Sequence, residues 1–304
     1  MKRRTFITRS AAVGTGLSLG GLALNSCSGF GEKKITILHT NDVHSHIDPF
    51  PDSHGQFPGL GGVARRASLI KSIREENPNT LLLDAGDIFQ GTPYFNFYGG
   101  ELEFRLMNKM GYQAATLGNH DFDNGLEGLL AQLPNADFKF VNANYDFSNT
   151  PLDGLFNPYE IYEMDGIKVG VFGLGIQLKG LVDPVLFGET KYLDPVERAL
   201  DIARELREEK GCRLVICLSH LGYRYREEDL MSDVRLAQLT EGIDLIIGGH
   251  THTFMEEADL LPNRAGNRVL VNQVGCYGVR LGRIDFTFDN QTGDAKGKSA
   301  VISV

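Results

Sequence analysis

Past its first few residues the sequence has no block of basic side chains, and its net charge is −9. That excludes a protein that wraps a nucleic-acid polymer, which needs a cationic stripe. It does not exclude an anionic substrate, because bound metal ions can dominate the field of a small site. Long apolar runs are missing too. After the N-terminal region none approaches the ~20 residues of a membrane-spanning helix. Cysteine is scarce, with four in 304 residues. One is Cys27, near the N-terminus; Cys212, Cys217 and Cys276 leave an odd number that fits neither a disulfide framework nor a zinc knuckle. Cys212 and Cys217 flank Arg213-Leu214-Val215-Ile216, a predicted strand, so their odd spacing points them to opposite faces. All three read as small core residues. What is present is ordinary globular composition, 42% hydrophobic and 23% charged, with length for one large α/β domain or two small ones.

The N-terminus reads as an address. Lys2, Arg3 and Arg4 precede Thr5-Phe6-Ile7, and Ala11 to Leu24 is a weakly apolar, Gly-rich run. This is a signal peptide in outline, and its arginine pair resembles a twin-arginine export signal. Leu24-Asn25-Ser26-Cys27 resembles a bacterial lipobox, whose cysteine becomes lipidated after cleavage; the alternative is a general secretory signal with an incidental cysteine. The expectation is therefore a leader over 1–27, a catalytic domain over 33–304, and an exported protein of the periplasm or cell envelope, membrane-anchored through lipidated Cys27. Twin-arginine export carries folded proteins, which suits one loaded with metal beforehand.

The stretch from Thr80 to Gly91 organises the rest. Leu81-Leu82-Leu83 predicts a short buried strand, and Asp84 and Asp87 stand where it ends. In an open α/β sheet that is the crevice where ligands bind. Gly86 permits a sharp turn that leaves Asp87 facing outward. One such carboxylate could equally cap a helix. Four other stretches repeat the pattern. Ile35–Leu38 runs into His39-Thr40-Asn41-Asp42-Val43-His44, where Asp42 and His44 share a face if the backbone stays extended. Ala114–Leu117 runs into Gly118-Asn119-His120-Asp121-Phe122-Asp123, Leu214–Leu218 into Ser219-His220, and Ile243–Ile247 into Gly248-Gly249-His250-Thr251-His252. Hard oxygen and imidazole donors without thiolate suit manganese, zinc, iron or cobalt.

The remaining segments follow local rules. Helices are predicted over Val63–Glu76, over Glu101–Met110 with Gly111 as C-cap, from Asp194-Pro195 to Leu206, and over Arg224–Leu239. Phe138–Asn142 predicts a strand. Glu160–Met164 and Lys168–Phe172, joined by Asp165-Gly166, predict a hairpin. Val269–Val274 and Arg283–Phe288 read as antiparallel strands, followed by a turn over Asp289–Gly293, and Asn144–Pro158 as a surface excursion. His46 and His54 fall in a Pro/Gly-rich loop and read as solvated. Tyr94, Phe95, Phe97 and Tyr98 read as docking the next helix into the core, the other option being a rim around a leaving group.

Together these motifs resemble the calcineurin-like metallophosphatases, and within them the 5'-nucleotidase family. Met107-Asn108-Lys109-Met110-Gly111-Tyr112 and Val274-Gly275-Cys276-Tyr277-Gly278 add to the match, which covers nearly the whole chain after the leader. The resemblance implies a four-layer α/β sandwich, two mixed β-sheets flanked by helices, with metals at the strand ends. It implies two divalent ions: Asp42, His44 and His252 on one, Asn119, His220 and His250 on the other, and Asp87 shared. Well-studied nucleotidases of the family carry an amide at the position of His252, a departure that bears on metal preference. His120 would contact the phosphoryl oxygen or the leaving group, oriented by Asp123, while a metal-bridging hydroxide attacks phosphorus in line.

The implied activity is a phosphoesterase acting on a small-molecule phosphate ester, a nucleotide as 5'-nucleotidase or 2',3'-cyclic phosphodiesterase. Alternatives are a sulfur-compound hydrolase of the thiosulfohydrolase kind and a non-catalytic binding lipoprotein. Two-domain nucleotidases add a C-terminal domain whose aromatic side chains sandwich the base. This sequence stops at Val304, where the connection to such a domain would begin. The expectation is an open cleft with poor base selectivity, and a separate polypeptide that supplies the second domain.

Overall fold

Strands buried on both faces need no polar alternation, and the apolar runs form such strands. In the computed structural model, which describes residues 32–227, 230–289 and 295–304, Thr80–Asp84 and Leu214–Ser219 are buried at every position. The leader segment with Cys27 and all but the first residue of the Asp289–Gly293 turn lie outside the described residues.

In chain order the strands are β1 (Lys33–Thr40), β2 (Thr80–Asp84), β3 (Ala114–Ala115), β4 (Lys139–Phe140), β5 (Tyr145–Asp146), β6 (Tyr159–Met164), β7 (Ile167–Leu174), β8 (Lys191–Tyr192), β9 (Leu214–Ser219), β10 (Leu245–Gly248), β11 (Asp259–Pro262), β12 (Arg268–Asn272), β13 (Arg280–Phe288) and β14 (Ala295–Ser303). The helices are α1 (Val63–Glu76), α2 (Pro93–Tyr98), α3 (Glu101–Met110), α4 (Gly125–Gln132), α5 (Pro184–Phe187), α6 (Pro195–Arg204) and α7 (Asp233–Leu239). One six-stranded sheet has the order β14-β13-β1-β2-β3-β4, the other β11-β12-β10-β9-β7-β6. Both are mixed. β1 to β4 run parallel, with β4 at one edge of the first sheet, as do β7, β9, β10 and β12 in the second; β13 is antiparallel to β1 and β14 to β13, and β11 and β6 are the antiparallel edges of the second sheet.

Side-chain alternation then assigns each strand residue to a layer. Ile35, Ile37, Leu81 and Leu83 face Val169, Val171, Ile216 and Leu218 across the gap between the sheets. Leu38 and Leu82 point the other way, onto Ile70 of α1 and Phe104 and Met107 of α3. On the far side Phe172, Val215 and Ile246 pack against Ile202 of α6 and Leu236 of α7. This is the four-layer sandwich that the resemblance implied. Its consequence for function is geometric: the C-terminal ends of parallel strands from both sheets open at one edge.

Local rules hold where the chain is short-range. Asp194 caps α6 by accepting from Val196 N–H at 2.8 Å and Glu197 N–H at 3.0 Å, with Pro195 in the first turn. Asp165 (φ 50°) and Gly166 (φ 71°) make the two-residue β6–β7 hairpin.

Several expectations are corrected by tertiary context. Asn144–Pro158 is a surface excursion only in part: Asp153 to Leu155 are exposed, but Tyr145, Phe147 and Leu152 enter the core, and β5 pairs with β8. The helix expected over Arg224–Leu239 begins only at Asp233, where Ser232 accepts from Arg235 N–H. Val269–Val274 supplies β12, which is parallel to β10 and lies in a different sheet from β13. Its antiparallel partner is β11, which sequence reading missed. Cys212, Cys217 and Cys276 are buried free thiols, as expected, but Cys212 and Cys217 join the same core cluster because Cys212 precedes the strand and escapes its alternation. Of the aromatic patch only Phe95 docks into the core; Phe97 is 82% and Tyr98 51% exposed.

Ile216 is fully buried between the sheets. Ile216→Ala should cost about 2–5 kcal/mol, against about 0.5–2 kcal/mol for Asp194→Ala at the exposed cap. Urea unfolding curves check both, and the reverse order would refute this account of the core.

Candidate metal centre

The crevice is built by loops that leave strand ends in strained backbone. β1 stops at Thr40, and Asp42, His44 and Ser45 follow with φ of 49°, 50° and 58°. Asp42 and His44 therefore do converge, but through a left-handed turn and not by alternation on extended chain. Asp87 (φ 56°), His250 (φ 72°) and His252 (φ 51°) adopt the same unusual conformation. For non-glycine residues this is costly and persists only when the surroundings over-determine it.

The first two loops are stitched together. Asp42 N–H donates to Gly86 O at 2.9 Å, His44 N–H to Asp87 O at 3.0 Å and Ser45 N–H to Ile88 O at 2.9 Å. Gly86 (φ 90°) is required twice over, since a Cβ there would also lie 2.6 Å from Gly118 N. A Cβ on Gly118 would collide with the Asp87 carboxylate.

All seven expected ligands and the expected dyad meet here. Asp42, His44 and His252 bring their ligand atoms within 4.8 Å of one another, and so do Asp87, His220 and His250. Asn119 Oδ1 is 2.8 Å from His250 Nδ1. The groups touch: His220 Nε2 lies 3.1 Å from Asp87 Oδ2 and 3.8 Å from Asp42 Oδ1, and His44 Nε2 lies 3.8 Å from Asp87 Oδ2. His120 N–H donates to Asp87 Oδ1 at 2.8 Å, and its Nδ1 is 2.8 Å from Asp123 Oδ2.

Ring orientation is set from behind. His44 Nδ1 faces Phe89 O at 3.2 Å and His220 Nδ1 faces Ala85 O at 2.7 Å, which makes Nδ1 the protonated nitrogen and turns Nε2 to the centre. His220 Nε2 is fully buried and lacks an aligned hydrogen bond although Asp87 is beside it. His44 and His252 oppose their Nε2 atoms at 3.0 Å. Both arrangements fit lone pairs that aim at shared cations.

Charge crowding shifts the titrations strongly. Burial would lower His220, but the negative charge of Asp87 beside it, helped by Asp42, pushes it up to about 10. Burial would raise Asp87, yet His220, His44 and His120 hold its carboxyl well below the usual range. Burial and the His220 charge lower His250 to about 4. The hydrogen bond that His120 donates to Asp123 raises His120 against the effect of burial.

Four residues without an assigned role in the sequence prove structural to the site. Asp121 is buried and accepts from Gly118, Asp87, Ile88 and Phe89 N–H at 2.8 to 3.2 Å, which fixes the Asp87 turn. Burial and the Asp87 charge push it up to about 7. Asn41 donates to Asp42 Oδ2 at 2.6 Å and to Gly275 O at 2.7 Å, tying the β1 loop to the one after β12. Gln273 donates to Gly249 O at 2.6 Å, and Asp233 accepts from Ser219 Oγ at 2.5 Å, under the histidine loops. Asn41 and Asp121 lie inside the strand-end motifs. Apart from Asp42 and Gly118 nearby, the partners named here are backbone groups of distant loops, which no spacing rule exposes. His46 and His54 are not simply solvated; both pack against Phe50 in tilted geometry, at 5.1 and 4.5 Å between centroids.

An amide at 121 offers one carbonyl oxygen to four N–H donors. Asp121→Asn should therefore leave a buried donor unpaired, lower stability by about 1–3 kcal/mol and weaken metal retention through the Asp87 turn. Thermal unfolding and metal content after dialysis test this; wild-type values for both would refute it.

Comparison with known proteins places this geometry. The calcineurin-like phosphoesterase family matches residues 35–254. The chain is 37% identical over 284 residues to a snake venom 5'-nucleotidase of Naja atra, covering 86% of this chain and 51% of that protein. Among solved structures it is similar to a 5'-nucleotidase precursor from Thermus thermophilus, with TM-score 0.78, 36% identity, and coverage of 89% and 55% of the two chains. It is also similar to the calcineurin-like phosphoesterase YfkN of Bacillus subtilis, with TM-score 0.71, 28% identity, and coverage of 90% and 91%. The chain thus spans about half the length of the venom and Thermus proteins.

Proposed function

Because this chain belongs to the calcineurin-like phosphoesterase family, we propose that it is an exported, metal-dependent hydrolase of phosphate esters that acts on nucleotides. The convergence of seven ligand-type residues from both sheets on one crevice carries this reading. Asp42, His44 and His252 would hold one divalent ion and Asn119, His220 and His250 a second, with Asp87 between the two groups. The aligned Nε2 atoms of His44 and His252 and the unbonded Nε2 of His220 support the fit, and donors of N and O type suit manganese, zinc, iron or cobalt. When bound, such ions acidify a water molecule and neutralise charge on phosphoryl oxygens.

The chain's own groups supply positioning and proton transfer. Asp123 engages Nδ1 of His120, so Nε2 is the atom available to hold a proton for the leaving oxygen or to bond a phosphoryl oxygen. His120 is tied through its own N–H to Asp87, which fixes its place beside the ligand-type residues. A base with an orienting carboxylate is worth ~10²–10⁴ in rate. Nucleotides as substrates rest on the 5'-nucleotidase relatives.

Purified protein should hold about two transition ions per chain. Asp87→Asn should lose metal and turnover together, whereas His120→Asn should keep metal and lose ~10²–10⁴ in turnover. Full activity after exhaustive chelation sinks the mechanism. Metal loss from His120→Asn at an undiminished rate per occupied site sinks the role of His120.

Export to the periplasm or cell envelope, with an anchor at Cys27, rests on Arg3-Arg4 and the lipobox-like Leu24-Asn25-Ser26-Cys27. Lysine at both arginines should strand the precursor in the cytoplasm, and Cys27→Ser should release the protein from membranes. Unchanged fractionation in both variants would count against the leader.

A further inference from the structure

Beside the Asp42–His44–His252 corner runs a line of rings that belongs to none of the three hydrophobic cores. Tyr277 stands 5.9 Å, centroid to centroid, from both His44 and His252. His46 packs on Tyr277 at 4.3 Å, and Phe50 packs on His46 at 5.1 Å. These three residues are only partly buried.

Tyr277 is held there against conformational preference. Its φ is 62°, rare for an aromatic residue, between Gly275 at 80° and Gly278 at 61°. Its N–H donates to Asp42 O at 2.7 Å, which locks the strained turn to a residue of the metal centre. A side chain that only filled core would not need this placement, since its burial is incomplete.

We propose, building on the phosphoesterase reading, that Tyr277, backed by His46 and Phe50, is a stacking platform for a planar leaving group, so that aryl and nucleoside phosphates are favoured over alkyl phosphates. Stacking accepts any π-face. The platform therefore selects for planarity and discriminates little among bases.

The test uses the metal-loaded chain and two esters, phenyl phosphate and glycerol 2-phosphate. In Tyr277→Leu the ratio of their kcat/KM values should fall roughly tenfold, through KM, while Tyr277→Phe keeps the wild-type ratio. A second measurement needs no turnover: the preference for phenylphosphonate over methylphosphonate, by titration calorimetry, should fall by a similar factor. Should Tyr277→Leu fail to retain metal, Phe50→Leu decides, with a smaller fall expected in both ratios. Unchanged ratios in the leucine variants, or an equal fall in Tyr277→Phe, overturn the platform. Wild-type protein that binds both phosphonates but hydrolyses neither ester refutes the phosphoesterase reading, while the phosphonate preference still decides the platform.

Discussion

Two buried carboxylates, Asp42 and Asp87, sit against the imidazoles of His44, His220 and His252, and the rest of the molecule is arranged to make that tolerable. Taking such charges out of water is expensive unless partners compensate. The compensation is visible in the opposed shifts of His220, upward, and Asp87, downward. It is visible also in the backbone: His250 N–H serves Asp42, and His120 N–H serves Asp87. Divalent cations in the same crevice would meet a donor set already oriented for them.

The fold supplies what such crowding demands, which is rigidity from two directions. Parallel strands of one sheet bring up Asp42, Asp87 and Asn119, and those of the other bring up His220, His250 and His252. The inter-sheet core fixes the distance between the two sets. Left-handed residues at the loop tips store strain that this packing can bear. Beneath them Asp121, Asn41 and Gln273 bond backbone groups of neighbouring loops, so no ligand loop can move alone.

Some features were legible at sequence level because their causes are local. The helix cap at Asp194, the Asp165-Gly166 hairpin and the buried runs of β2 and β9 depend on residues within a few positions. The candidate ligand set was legible for a different reason: oxygen and imidazole donors recur where apolar runs stop, and strand ends are where α/β sheets bind ligands. Long-range pairing was not legible. Asn144–Pro158 reads as polar loop, yet its few apolar side chains find a core, and β11 is defined by its partner β12 and not by its own composition.

The sequence by itself determined which residues are metal-ligand candidates, that apolar segments alternate with helices, and that His120 and Asp123 are close enough in the chain to pair. Tertiary structure alone brought the ligand atoms of Asp42, His44 and His252, and those of Asp87, His220 and His250, within 4.8 Å of one another. It also decided that Asp42 and His44 meet through a left-handed turn, that Asp121 and Asn41 brace them, and that Tyr277 stands beside His252. The physical reason is separation along the chain: Asp42 and His250 are bonded across 208 positions, and such contacts exist only once two sheets have packed and set the register of their strand ends.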